Sequence, residues 1–429
     1  MRRALIVGVF LLSSAVAARA QAPGLDAHRD ELMKLYTHLH QNPELSSREV
    51  KTAERIADEL REVGAKVTTG VGGMGVVGVL ESGPGPVVLV RTDMDALPVT
   101  EETGLPYASK AVGIDPQGRE VGVMHACGHD VHMTTFVAVA TWLSEHKDRW
   151  SGTVLLLGQP AEETINGARG MLEDGLYSRF PKPDYALALH CMPDAAVGDV
   201  HYRAGPMLAS STSLDVTIRG RGGHGSRPEG AVDPIVLAAL AVMDYQTIVS
   251  REISPLDPAV VTVGSIHGGL KHNVIPDEVK LQLTLRAYKE SVRKALVEGV
   301  ARRTKALAAA HDAPEPTVTM VEHTPETSND PDLVARVLPA LQDALGADHV
   351  VEAEPVMGSE DFAFYARDGV PIMMFWLGTI PPEKLQKART EGTPLPGLHS
   401  SKYQPEPEGS VATGLKAMTA AVVRILPPK

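Results

Sequence analysis

Apolar residues in Arg48 to Val63 ("REVKTAERIADELREV") fall at Val50, Ala53, Ile56, Ala57, Leu60 and Val63. That is close to the i, i+3, i+4 spacing of a helix burying one face, and Gly64 follows as a C-cap. The helical pattern covers Asp26 to about Ala65. Beyond it the pattern changes to short β-rich runs, "VVGVL" and "PVVLVRTDMDALP", and to continuous apolar runs ending in polar residues, "TVLLLGQPAEE" (Thr153–Glu163) and "DYALALH" (Asp184–His190). Strands buried on both faces read this way, so the runs predict a mostly parallel sheet. Their polar last residues fall where such a sheet gathers its active site. An apolar helix is expected from about Val131 to Ser144.

From about Pro206 to Glu322 the order of elements differs. Leu214–Ile218 reads as strand, Pro234–Val249 as helix, Ala259–Ile266 and Val279–Tyr288 as strands, Glu290–Ala310 as helix and Thr317–Val321 as strand. This is βαββαβ, the ferredoxin-like arrangement. Helix (Leu333–Leu345) and strand ("VPIMMFWLG") then resume. The fold class expected is α/β: a catalytic domain split into residues 21–205 and 323–429 by an inserted domain at 206–322. Internal repeats and low-complexity tracts are absent from the sequence.

Composition adds boundaries. Arg2 and Arg3, the apolar run Ala4 to Val16 and the A-x-A site Ala18-Arg19-Ala20 read as a signal peptide (1–20) cleaved after Ala20. The run is short of the roughly 20 residues a membrane span requires, and no cysteine marks a lipid anchor at the cleavage point. The expectation is a protein secreted or periplasmic, with no membrane partner once the signal is removed. A chain of 429 residues exceeds one hydrophobic core. A net charge of -12 argues against nucleic acid as a partner.

The chemistry concentrates in "GVMHACGHDVHM", Gly122 to Met133, which packs His125, Cys127, His129, Asp130 and His132 into a chain with only 2 cysteines. Metal binding is one reading. A disulfide between Cys127 and Cys191 in an oxidising compartment is another. Further ligand-type residues sit at strand ends and loops: Asp93 and Asp95 in "RTDMDALP", Glu162 and Glu163 in "QPAEE", His190 in "ALHCMP" and His399 in "PGLHS". Neighbours on extended backbone point in opposite directions, so Glu162 and Glu163 should have different jobs. One ligand and one base is the natural division.

The order RTDMDALP, HACGHD, GQPAEE, LH, GRGGHGSRP, HNVIPDEV, GSEDF, LHS resembles the metal-dependent amidohydrolase and carboxypeptidase family over nearly the whole mature chain. That family includes hippurate hydrolases, aminoacylases, thermostable carboxypeptidases and plant auxin-conjugate hydrolases. The resemblance implies a binuclear metal site with Cys127, His129, Glu163, His190 and His399 as ligands and Glu162 as general base. The two divalent ions would be zinc or manganese, with cobalt or nickel as alternatives. A bridging thiolate excludes the disulfide. Many relatives outside this branch carry histidine in place of Asp93, so Asp93 and Asp95 are read as groups that orient the ligands. His125 and His132 are read as supporting residues, and "AVGIDPQGRE" as a surface loop.

In the inserted domain, a lid in this family, the resemblance gives His224 a role at the oxyanion and Asn273 one in holding substrate. It has Arg286 grip the substrate carboxylate. Such a domain often forms a homodimer or higher oligomer. The expected substrates are N-acyl or N-aroyl amino acids, or short peptides losing a C-terminal residue. A non-catalytic periplasmic binding protein is the rival reading, and the Glu162–Glu163 pair argues against it because simple binding requires no base.

Overall fold

The computed structural model describes residues 25–429, and the signal-peptide expectation for 1–20 lies outside the described residues. The chain opens with helices α1 (Leu25–Gln41) and α2 (Val50–Glu62), then strands β1 (Lys66–Val71), β2 (Gly75–Glu81) and β3 (Val87–Asp93). Helix α3 (His129–Glu145) leads to β4 (Thr153–Gln159), β5 (Tyr185–Ala196) and β6 (Val200–Tyr202). Next come β7 (Ser210–Arg219), α4 (Pro234–Arg251), β8 (Ala259–Gly268), β9 (Glu278–Ala287), α5 (Glu290–Ala310) and β10 (Thr317–Thr324). The chain closes with α6 (Pro331–Leu345), β11 (Val350–Glu352), β12 (Ile372–Ile380) and α7 (Pro407–Ile425).

Eight strands form one sheet in the order β1-β2-β4-β3-β5-β12-β6-β11. The central run β4-β3-β5-β12 is parallel throughout. The β1–β2, β2–β4 and β12–β6 pairings are antiparallel, so the sheet is mixed rather than mostly parallel to its edges. The alternation of side chains explains the uninterrupted apolar runs. Val154 and Leu156 of β4 face the core shared with α1, α2, α3 and α7, whereas Leu155 and Leu157 face a second core on the opposite side. Both faces are buried, so neither is polar. On α2 four of the predicted positions, Ala53, Ile56, Ala57 and Leu60, pack inward, whereas Val50 at the start of the helix is exposed and Val63 after its end is half-buried.

Strands β7 to β10 form a separate antiparallel sheet, ordered β8-β9-β7-β10, with α4 and α5 packed on one face around their own core. Its entry and exit run side by side, because Gly205–Leu208 pairs antiparallel with Thr327–Asn329. The structure adds elements to the sequence reading. The expected surface loop contains a hairpin, Val112–Ile114 with Glu120–Gly122, and helix α7, which the pattern does not mark, packs along α3 and α6. Among the described residues no helix is long and apolar enough to cross a membrane.

Candidate metal centre

The functional side chains meet at the carboxyl ends of the parallel strands. Strand β3 ends at Asp93, with Asp95 just beyond it; β4 ends at Gln159 and turns directly into Glu162 and Glu163; His190 lies on β5. Cys127 and His129 bracket Gly128, the residue before α3, whose φ of 81° is left-handed. A Cβ on Gly128 would meet Cys191 Sγ at 2.8 Å, so only glycine turns the chain here. His399 comes from the loop before α7, and its backbone N–H donates to Ala126 O at 2.8 Å, which pins it beside Cys127.

Donor atoms of Cys127, His129 and His190 lie within 4.8 Å of one another, and so do those of Cys127, Glu163 and His399. Cys127 is common to both sets. Cys127 Sγ is 3.5 Å from His190 Nε2, and Glu163 lies 3.8 Å from His129 Nε2 and 3.4 Å from His399 Nε2. Tetrahedral ligands at Zn–N and Zn–S lengths would stand about 3.3–3.8 Å apart. His129 Nε2 and Glu163 Oε1 are buried without hydrogen-bond partners. Buried polar atoms are rarely left so, and here two face each other beside a thiol, which fits a bound cation. Burial, then the charges of Glu163 and Glu162, pushes the Cys127 thiol well up, as expected of a sulfur that ionises only beside a cation. Both cysteines are free, so the disulfide reading falls.

The aspartates sit behind the donors. Asp95 Oδ1 accepts from Glu162 N at 3.0 Å and its Oδ2 from Glu163 N at 3.0 Å and Ser46 Oγ at 2.6 Å. Its main-chain oxygen meets His129 Nδ1 at 2.7 Å, which turns Nε2 toward the donor cluster. Asp93 is held by His132 Nδ1 at 2.7 Å and Arg91 Nη1 at 2.6 Å. Burial opposes ionisation of Asp93, but His129, His132 and Arg91 outweigh it and hold its pKa well below the usual range. His132 Nε2 accepts Cys191 N–H at 2.8 Å, so both its nitrogens are engaged. His125 is buried, and neither ring nitrogen has a partner.

Several residues here were not singled out by sequence. Arg91, inside the apolar run of β3, reaches Glu360 Oε1 at 2.7 Å, Asp361 Oδ1 at 3.1 Å and Gln159 Oε1 at 2.9 Å. A charged residue amid "VVLVRTD" was the available signal. Glu162 lies against this group, its donor atom within 4.8 Å of those of Glu360 and Asp361. Burial first, then the charges of Glu360 and Glu163, drives the Glu162 pKa well above the ordinary range. Behind Asp130, His40 bonds Asp130 at 2.7 Å and Glu101 at 3.1 Å.

The inserted domain contributes differently. Gly223–His224 pairs with Val274–Ile275, and Gly225 N–H donates to Asn273 O at 2.9 Å, which brings His224 and Asn273 onto one ribbon. His224 is exposed and bonds Ser226 Oγ at 2.7 Å; it belongs to neither donor set within one chain. Arg286, half-buried on β9, donates to Ser359 Oγ at 2.9 Å, next to Glu360.

A family model described as peptidase family M20/M25/M40 matches residues 89–396. The chain is 38% identical over 337 residues to a hippurate hydrolase of Campylobacter jejuni, covering 78% of this chain and 85% of that one. It is 35% identical over 378 residues to thermostable carboxypeptidase 2 of Saccharolobus solfataricus, covering 87% and 90%. A crystal structure from Bacillus subtilis, described as a dinuclear metal binding peptidase from the M20 family, superposes with a TM-score of 0.74 at 29% identity, over 93% of this chain and 99% of that one.

Proposed function

The chain belongs to peptidase family M20/M25/M40 and is a metal-dependent hydrolase of amide bonds, and from that premise we propose that it cleaves N-acyl or N-aroyl amino acids, or releases a C-terminal residue from short peptides. The observation that carries this reading is the pair of donor sets sharing Cys127, with Glu162 packed beside them. Cys127, His129, Glu163, His190 and His399 would hold two divalent ions, zinc or manganese, with cobalt or nickel as alternatives. When bound, such ions polarise the scissile carbonyl and acidify water. Glu162 takes the attacking water's proton and returns it to the leaving amine as the C–N bond breaks. Asp93 and Asp95 keep the ligands and the base in register.

Arg286 would pair with the substrate carboxylate. His224 and Asn273, on their exposed ribbon, would reach the site of a second copy of the chain. A homodimer through the inserted domain is supported by the exposed Val236, Leu240 and Met243 on α4 and by Leu270, all outside its core. The reading includes export, supported by the signal-like residues 1–20. The test is a screen of metal-reconstituted protein on N-acetyl, N-benzoyl and dipeptide substrates, read by released amine. Activity should disappear with chelator and return with added metal; full turnover in a metal-free preparation would refute the reading.

A further inference from the structure

The turn carrying Glu162 and Glu163 is held by a residue 112 positions earlier in the chain than Ala161. Ala161 has a φ of 53° and Ser47 a φ of 63°, left-handed conformations that L residues adopt only at a cost. The backbone N–H groups of both donate to the same atom, Glu49 Oε1, each at 2.8 Å. Asp95 takes the next two amides, of Glu162 and Glu163. Three successive N–H groups of the turn therefore end on two buried carboxyls. Glu49 is 0% exposed, and its main-chain oxygen accepts Ala53 N–H at 2.9 Å in the first turn of α2. The helix fixes its backbone, and its side chain reaches across to the turn.

We propose that Glu49 is a positioning residue, which sets the backbone of Ala161 and through it the direction of the Glu162 carboxyl. A shift of about 1 Å in a reacting group can cost about 10²-fold in rate, so a strut of this kind acts on turnover rather than on substrate binding. Acceptor geometry is what the turn requires of Glu49. Its second oxygen, Oε2, is buried without a hydrogen-bond partner, so the NH2 of a glutamine there would displace no acceptor that the turn uses. Burial, and then the Asp95 charge, pushes this carboxyl up to about 7, so an amide there removes less than a full charge at neutral pH.

The kinetic part of the test rests on the hydrolase reading; the exchange part does not. Full-length Glu49→Ala, Glu49→Asp and Glu49→Gln are compared with the parent by amide hydrogen exchange across 160–167, metal content, and kcat and KM on an N-acyl amino acid. Glu49→Ala should speed exchange at 161–163 by about tenfold or more and lower kcat by about 10²-fold, with KM within about threefold and metal content unchanged. Glu49→Asp keeps the charge but loses reach, and it should behave like Glu49→Ala, which covers the case in which the alanine variant fails to fold. Glu49→Gln should restore both readouts to within about threefold. The proposal is overturned by unchanged exchange in the alanine and aspartate variants, by a rate loss that glutamine does not restore, or by a loss that follows falling metal content. If the parent turns over no N-acyl amino acid, the substrate reading fails, and exchange alone decides Glu49.

Discussion

Asp95 offers the sharpest test of how the site is built. Its two carboxylate oxygens accept three donors, from Glu162 N, Glu163 N and Ser46 Oγ, and it is 0% exposed. In Asp95→Asn one oxygen becomes an NH2. The best orientation keeps oxygen at the Oδ2 position, where Glu163 N–H and Ser46 still bond it. Glu162 N–H then faces a donor at a buried position. A hydrogen bond to a charged group is worth about 1.5–3 kcal/mol, and that is the expected loss of stability. Against a total of roughly 5–15 kcal/mol this is a large change. The main-chain oxygen that orients His129 is untouched, so any effect on metal binding must come through the Glu162–Glu163 turn. Partners of this kind typically change metal affinity or activity by about 10–100-fold. Urea midpoints of metal-free protein give the first quantity, and calorimetric metal titration gives the second. Stability within about 0.5 kcal/mol of the parent, together with affinity within about twofold, would show that the carboxylate does not brace the turn.

Glu162→Gln should keep the fold and metal content while kcat falls by about 10²–10⁴-fold, and Glu163→Gln should instead lose metal; the reverse pattern by elemental analysis and kinetics would exchange their roles. Arg286→Ala should cost about 10–100-fold on an N-acyl amino acid and much less on its ester, whereas equal penalties would leave this arginine a prop for Ser359. At His40, burial disfavours the charge, but the bonds to Asp130 and Glu101 prevail and raise its pKa from 6.5 to about 10. Its stabilising contribution, at most about 5 kcal/mol, is therefore complete below pH 6.5 and lost as pH rises toward 10. Urea midpoints at pH 7 and 10 should converge in His40→Gln relative to the parent; identical slopes would contradict the assignment.

The sequence discloses most where burial leaves the plainest pattern. The runs in β3, β4, β5 and β12 are apolar on both faces, so both their existence and their polar ends were legible. Strand direction is not encoded in such periodicity, and the antiparallel β1, β2 and β6 pairings could not be read from it. Among the site residues, Cys127, His129, Glu162, Glu163, His190 and His399 are reactive types in short, dense motifs, and they lie together. The supports are ordinary residues whose meaning depends on contacts far along the chain. Arg91 meets Glu360 across 269 positions, and Glu49 meets Ala161 across 112. No local pattern marks such a pair, and a glutamate before a helix looks like any first-turn acid. His224 shows the converse, since its glycine-flanked motif was legible but its own chain does not carry it to the donors.

The charges around the strand ends explain why the donors cannot stand alone. Asp93, Asp95, Glu162, Glu360 and Asp361 are each at most 5% exposed, and the Glu163 side chain is 8% exposed. Arg91 is the permanent cation bonded within this group, and its bonds go to Asp93, Glu360 and Asp361. Arg91 acts on Glu162 at longer range, and Glu163 faces the imidazoles of His129 and His399. Burial, only partly offset by Arg91, raises Asp361 to about 8, and burial against a weaker pull from His129 raises Glu163 to about 7. Ionised carboxyls without partners are too costly to bury, so the group must hold protons or cations. Protons would silence Glu163 as a donor and leave the Cys127 thiol neutral. Divalent cations between Cys127 and the histidines would satisfy Glu163 Oε1 and His129 Nε2 at once, and would leave Glu162, on the Arg91 side, free to exchange its proton. Under the proposed division of labour, Glu162 is the carboxyl on the Arg91 side and Glu163 the one facing His129 and His399.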